Sequence, residues 1–429
     1  MRFINTKTLS LVDDSQYVEY PYAILSHVWG PEEVPFEEVQ ERQADIQSKA
    51  GWVKMEKFCA KAQEYGFDYA WIDTCCIDKR YSAELSEAIN SMYRWYYNAA
   101  ACFIYLEDVK TYTCDSGDSS RVVPMTRDQV IDAVRTTRWL TRGWTLQEFI
   151  TPRRRHFFAA DWSEIEDGSD LLEALSESTG ISRKLLDDRD LLPNFCIAER
   201  MKWAAKRKTT RAEDIVYSLM GIFNVNLPVL YGEGIRNAFK RLQLEIMQTS
   251  FDMTIFAWRG DYESCGLLAQ SPVDFIDTPP LRIWAPRNIS SFSMTNIGLT
   301  ISLNTTDEQS YFGQKHQNVA SQRPEKLSDD GTLLAAFQCV VQTSTGQWQT
   351  PMVYLEHVIG AVAYYNGRSC RAYRRIRCKE WLTLSSEELS GCHEEPLIVL
   401  QNEQYELIQQ SLKRQNLQRE ASRKALENL

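Results

Sequence analysis

The chain has 429 residues, 44% hydrophobic and 25% charged, enough apolar material for a sizeable core and more length than most single domains use, so two or three domains are expected. Its formal net charge of -10 and pI near 5.3 argue against nonspecific nucleic-acid binding by the chain as a whole. The opening MRFINTKTLSLVDD has no apolar signal core, no membrane-spanning run follows, and the eleven cysteines form no CxxC pair or Cys/His ladder, which predicts reduced thiols, a cytoplasmic location and no metal site.

In chain order, YAILSHV (22–28) reads as a short buried strand ended by Trp29-Gly30-Pro31. Residues 51–65 carry apolar side chains at 52, 55, 58, 59 and 62, a helical spacing closed by Gly66. YAWID (69–73) is a second strand, AELSEAINSMYRWYYNAA (83–100) a second helix and CFIYLEDV (102–109) a third strand. The polar stretch KTYTCDSGDSSR reads as a loop, 127–151 as helical and RHFFAADW (155–162) as a fourth strand. This alternation predicts an α/β domain over residues 1–165, a parallel sheet with helices on both faces. Ligands of such sheets sit beyond the carboxyl ends of the strands, which places Ser26, His27, Trp29 and Gly30 at the mouth after the first strand and Asp73 after the second.

Residues 166–260 read as a helical extension, with a capping box expected from Thr210 to Glu213. Residues 261–400 read as a β-rich region, with 304–331 as a long hydrophilic loop, and 401–429 as a polar helical or disordered tail.

No P-loop, GxSxG elbow, HExxH or EF-hand loop is present. YGEG (231–234) reads as a helix-start turn rather than a phosphate cradle. The basic run Arg200, Lys202, Lys206, Arg207, Lys208 and Arg211 reads as a solvated helix face. Ser26 and His27 point to opposite faces of a strand and cannot work as a nucleophile–base pair. Asp73 suits a turn cap and a functional carboxylate equally, whereas Cys75 and Cys76 read as buried small apolar residues. RGWTLQE (142–148) poses the sharpest question. Thr145 to Glu148 fits a capping box, which leaves Arg142, Gly143 and Trp144 unexplained. A helix starting before Trp144 would instead set Trp144 and Glu148 on one face, an aromatic platform beside a desolvated carboxylate. Local chemistry leaves the two readings level.

YAILSHVWG (22–30), YAWIDTCCIDK (69–79) and TRGWTLQEFI (141–150) together resemble the three signature blocks of the fungal heterokaryon-incompatibility (HET) domain, with Arg80-Tyr81 and Phe149 departing from the commonest wording. The resemblance extends over about residues 1–260. It implies a role in nonself recognition between fungal strains that ends in growth arrest or cell death. HET domains are in turn distantly similar to TIR domains, which implies a TIR/flavodoxin-like sheet. Residues 144–149 fall on the TIR motif W-C-L-x-E-L, whose Glu cleaves NAD in enzymatic members. Carried over, Glu148 is the catalytic residue, Trp144 the ring platform, and Ser26, His27, Trp29, Gly30 and Asp73 the substrate-binding mouth. NAD enters as substrate, with no cofactor or metal. No Arg stands in Ser26–Gly30, which leaves the phosphate contact unassigned. The resemblance also admits a non-enzymatic module acting through self-association or protein partners, and a catalytically silent accessory protein.

Overall fold

Every residue of Tyr22–His27 is buried, as a continuous apolar run in the middle of a parallel sheet requires. The computed structural model describes residues 1–13, 21–41, 45–114, 122–166, 168–283, 291–315, 332–365, 368–411 and 413–414. The chain forms two units, Met1–Asn194 with Lys206–Ala238, and Phe195–Ala205 with Phe239–Leu429.

The strands of the first unit are β1 (Arg2–Asn5), β2 (Leu11–Asp13), β3 (Tyr22–His27), β4 (Tyr69–Trp71), β5 (Ala101–Tyr105), β6 (Tyr112–Cys114), β7 (Val122–Pro124), β8 (Arg155–Phe158) and β9 (Glu164–Ile165). Seven of them form one sheet in the order β2-β1-β4-β3-β5-β8-β9. The centre, β4-β3-β5-β8, is parallel throughout, and β1 and β9 close its two sides antiparallel. Long helices make the crossovers, α1 being Ala50–Glu64 and α2 being Ser82–Asn98. Helix α1 buries Met55, Phe58, Cys59 and Ala62, four of the positions its spacing marks. Gly66, at φ 83, ends it: its amide bonds the Gln63 carbonyl and that of Phe67 the Ala62 carbonyl, a Schellman closure that favours glycine. The helix α3 (Arg127–Arg135) opens on a Thr126/Gln129 capping box. The short helix α4 (Thr145–Ile150) follows a 3-10 turn at Arg138–Thr141 and carries Glu148.

Several boundaries differ from the sequence reading for identifiable reasons. The third strand stops at Tyr105, because Asp108 accepts from the Thr137 hydroxyl at 2.6 Å and the Arg138 amide at 2.8 Å, fixing the turn before α4. The fourth stops at Phe158, where a turn with Trp162 at φ 66 leads into β9. Part of the supposed polar loop after β5 is the β6–β7 hairpin, its tip lying outside the described residues. The capping box expected at Thr210–Glu213 is not formed. Glu213 Oε1 instead accepts from the amides of Gly232 and Gly234, at 2.9 and 3.0 Å.

The second unit is β-rich. Strands Leu299–Asp307, Leu333–Ala336, Trp348–Tyr365, Arg368–Ile376 and His393–Val399 pair in a closed circuit, because the 18-residue strand Trp348–Tyr365 bonds Leu333–Ala336 on one edge and Arg368–Ile376 on the other, Tyr354 and Leu355 pairing with both. Closure removes free edges from these five strands. Where the sequence suggested a loop over 304–331, the strand continues to Asp307 and a helix follows at Glu308–Lys315, while 316–331 lie outside the described residues. The tail is helical over 402–411 and 413–414, and 415–429 lie outside the described residues. No helix among the described residues is long and apolar enough to cross a membrane.

Candidate functional site

Helix α4 does not begin with the capping box that TLQE permits. The Thr145 hydroxyl donates to the carbonyls of Trp139 (2.5 Å) and Arg142 (2.9 Å), and no side chain caps the helix. Trp144, in front of it, already has helical dihedrals (φ -61°, ψ -34°), so Trp144 and Glu148 stand one turn apart. Both reach a cavity of about 290 Å³ that His27, Trp29, Asp73, Lys79 and Arg142 also line.

Glu148 is 5% exposed, and its carboxylate meets Ser26 rather than its own backbone. Ser26 Oγ donates to Glu148 Oε2 while accepting from Trp139 Nε1 at 2.7 Å, so a buried indole fixes the serine that holds the carboxylate. Trp139 is in turn held edge-on to Phe149, with ring centroids 5.5 Å apart. Burial pushes Glu148 up to about 8, with the negative charge of Asp73 adding to the rise, against the opposing pull of Ser26, Tyr96 and Arg142. A buried cation, Arg207, donates to the Arg142 carbonyl (2.9 Å) and Thr145 Oγ1 (3.0 Å), bracing the turn that presents Glu148. Burial pushes Arg207 down, and the charge of Glu148 pulls the other way.

The opposite wall comes from the ends of β3 and β4. His27 Nε2 lies 3.1 Å from Asp73 Oδ1, and Trp29 Nε1 donates to Asp73 Oδ2 at 2.8 Å. Burial works to raise Asp73, yet His27, Lys79 and Trp29 together bring it down to about 2. The two carboxylates of one cavity are thus driven apart, one held as an anion and the other poised to titrate near neutrality. Trp29 is 45% exposed, with Lys79 Nζ 3.7 Å from its ring centroid. Gly30 is turned away, its amide donating to Glu33 Oε1 at 2.6 Å, and neither Gly30 nor Ser26 lines the cavity.

A third wall was not visible in the sequence. Thr210, Arg211, Asp214 and Tyr231 also line the cavity. Lys208 forms a parallel bridge with Arg142, the Gly143 amide donating to the Lys208 carbonyl at 2.9 Å and the Lys208 amide to the Thr141 carbonyl at 2.7 Å. This approach explains the glycine of RGW: a Cβ on Gly143 would stand 2.4 Å from Thr209 Cγ2. The basic run read as a solvated face is therefore divided, Arg207 being 7% exposed and Arg211 open to solvent. A second cavity of about 310 Å³ lies away from Glu148, and its Arg2 and Glu84 are paired with each other.

Residues 22–148 match the family model for the heterokaryon incompatibility protein (HET), and residues 237–292 match a domain of unknown function, DUF8212. Vegetative incompatibility protein HET-E-1 of Podospora anserina is 45% identical over 230 residues. That alignment takes in 53% of this chain and 16% of the relative, so the chain spans well under two thirds of that protein. No solved structure matches. The cavity built around Glu148 thus draws His27, Trp29, Asp73, Trp144 and Glu148 from residues 22–148, the part of this chain that matches the HET family.

Proposed function

We propose that this chain is an effector of fungal heterokaryon incompatibility whose HET domain hydrolyses NAD at the nicotinamide–ribose bond, with Glu148 as the catalytic carboxylate. The observation that carries this reading is the placement of Glu148: uncapped, buried, hydrogen-bonded to Ser26 and facing a cavity shared with Trp144, Trp29 and Asp73. The order β4-β3-β5-β8 supports a TIR/flavodoxin-like reading. Numbered by sequence within the parallel centre, it is 2-1-3-4, the flavodoxin-like order, and the cavity lies beyond the carboxyl ends of β3 and β4.

Cleavage of this bond builds positive charge on the ribose, and nicotinamide leaves as a neutral base. No general acid is required, unlike ordinary glycoside hydrolysis. Glu148 stabilises the ribosyl cation and orients the attacking water or the 2'-hydroxyl. Its raised pKa leaves it largely protonated in the free protein near neutrality. The cationic nicotinamide ring favours the carboxylate on binding, so substrate entry and loss of that proton are coupled. Asp73, held ionised by His27 and Trp29, adds negative potential at the same cavity. Trp144 offers a flat face to a ring. At about 290 Å³ the cavity is small for a ligand site and encloses the reacting end of a dinucleotide, with the remainder at the mouth. NAD depletion would then drive arrest or death, with a protein partner or self-association as trigger.

The test is NAD consumption by the full chain against Glu148→Gln and Glu148→Ala. The proposal expects turnover by the native protein and its loss in both variants. Equal turnover in all three removes Glu148 from the chemistry, and no turnover in any leaves a signalling module without enzymatic function.

A further inference from the structure

We propose that the segment 207–231 completes the Glu148 cavity with a subsite for the diphosphate of a pyridine dinucleotide, formed by its Arg211 together with Arg142 of the turn before Glu148. This rests on the reading of the cavity as an NAD site and names the contact that the first-strand end, without an Arg, does not supply.

The backbone leaves few donors for an anion here. The amide of Gly30 is taken by Glu33, and those of Gly232 and Gly234 are both taken by Glu213, so neither the strand-end turn nor YGEG cradles a phosphate. Side chains must do it. Arg142 and Arg211 line the same cavity as Glu148; their close contacts are a hydroxyl and a ring, while Glu148 feels the charge of Arg142 and Asp214 and Glu213 that of Arg211. Arg142 NH1 donates to Thr210 Oγ1 at 3.3 Å, and the Arg211 guanidinium carbon sits 4.0 Å from the Tyr231 ring centroid. Their N–H forks remain suited to bidentate phosphate contacts.

Arg211 is open to solvent yet held in place. The Tyr231 hydroxyl donates to Asp214 Oδ1 at 2.9 Å, and Glu213 pins the turn after Tyr231 through two amides. The Lys208–Arg142 bridge locks this segment to the turn before Glu148. An anion site at the mouth and a carboxylate within match the two ends of a dinucleotide, diphosphate outside and cationic ring inside. Arg207, Thr210, Arg211, Asp214 and Tyr231 all lie beyond the 22–148 span of the HET match, so the working site is larger than that domain.

Calorimetric titration of the full chain with ADP-ribose, which has the diphosphate but no nicotinamide, and with nicotinamide riboside, which has the reverse, tests this. Arg211→Gln and Arg142→Gln should each weaken ADP-ribose about ten- to a hundredfold, the range of a charge-assisted hydrogen bond. Nicotinamide riboside should be unaffected in Arg211→Gln, and Arg211→Lys should recover part of the loss. Unchanged ADP-ribose affinity in both Gln variants, or no ADP-ribose binding by the native chain, overturns the subsite. ADP-ribose binding that depends on Arg211 in a chain that cleaves no NAD would uphold the subsite and defeat the hydrolase reading.

Discussion

Replacing Glu148 by glutamine should stabilise the protein, and by an amount that depends on pH. The Glu148 pKa is raised from the ordinary 4.5 to about 8, with burial as the leading cause. A carboxyl with a raised pKa in the folded state binds its proton more tightly than in the unfolded chain. Its contribution is therefore fully present below about 4.5 and is lost progressively as pH rises through about 8. At about 1.4 kcal/mol per pH unit, the full loss is ~5 kcal/mol, of which roughly 3 has accrued at neutrality. Glutamine has the shape of the protonated acid and does not titrate. Urea unfolding of the native chain and Glu148→Gln should give nearly equal stability near pH 5. A widening advantage for the variant, several kcal/mol by pH 9, should follow. A difference that stays constant across this range, or one that favours the native chain at high pH, would refute the account of Glu148 as a desolvated acid.

Two further outcomes follow from the same geometry. Gly143→Ala should cost about 1–3 kcal/mol by overpacking against Thr209 Cγ2, and Thr209→Ser, which removes that methyl, should recover most of the loss in a thermal-unfolding double-mutant cycle. Trp144→Ala should raise the KM for NAD about tenfold with a smaller change in kcat, as loss of a ring platform predicts; steady-state kinetics would separate this from a collapse in kcat alone.

Much of the first unit was legible in the sequence because its elements are local. The apolar run at 22–27 and the periodic faces of Ala50–Glu64 and Ser82–Asn98 announced a parallel sheet, and Gly66 marked a helix end with a definite φ requirement. Glu148 and Trp144 stood out as residues of one helical turn. What surrounds them was not legible, because it is assembled from distant segments. Trp139 holds Ser26 across 113 positions, and Arg207 reaches Thr145 across 62. A lone Trp in TTRWL or an Arg in a basic run carries no local sign of such a partner. Gly143 was a partial exception. The sequence left that glycine unexplained beside the capping-box reading, and the structure supplies the reason, the close approach of segment 208–209. The strand-end residues proved unlike one another for the same reason. His27 and Trp29 converge on Asp73, whereas Ser26 lies behind Glu148 and Gly30 is drawn off by Glu33.

The most direct measurement is the pH dependence of kcat/KM for NAD cleavage by the full chain and by Ser26→Ala. If the ionised Glu148 carboxylate does the chemistry, the native profile rises with pH to a half-maximum near 8, the value of the free protein's essential group. Because the Ser26 hydroxyl favours the carboxylate, its removal should shift that limb to higher pH. A profile that is flat through this region, or one that Ser26→Ala leaves in place, would contradict the assignment of Glu148.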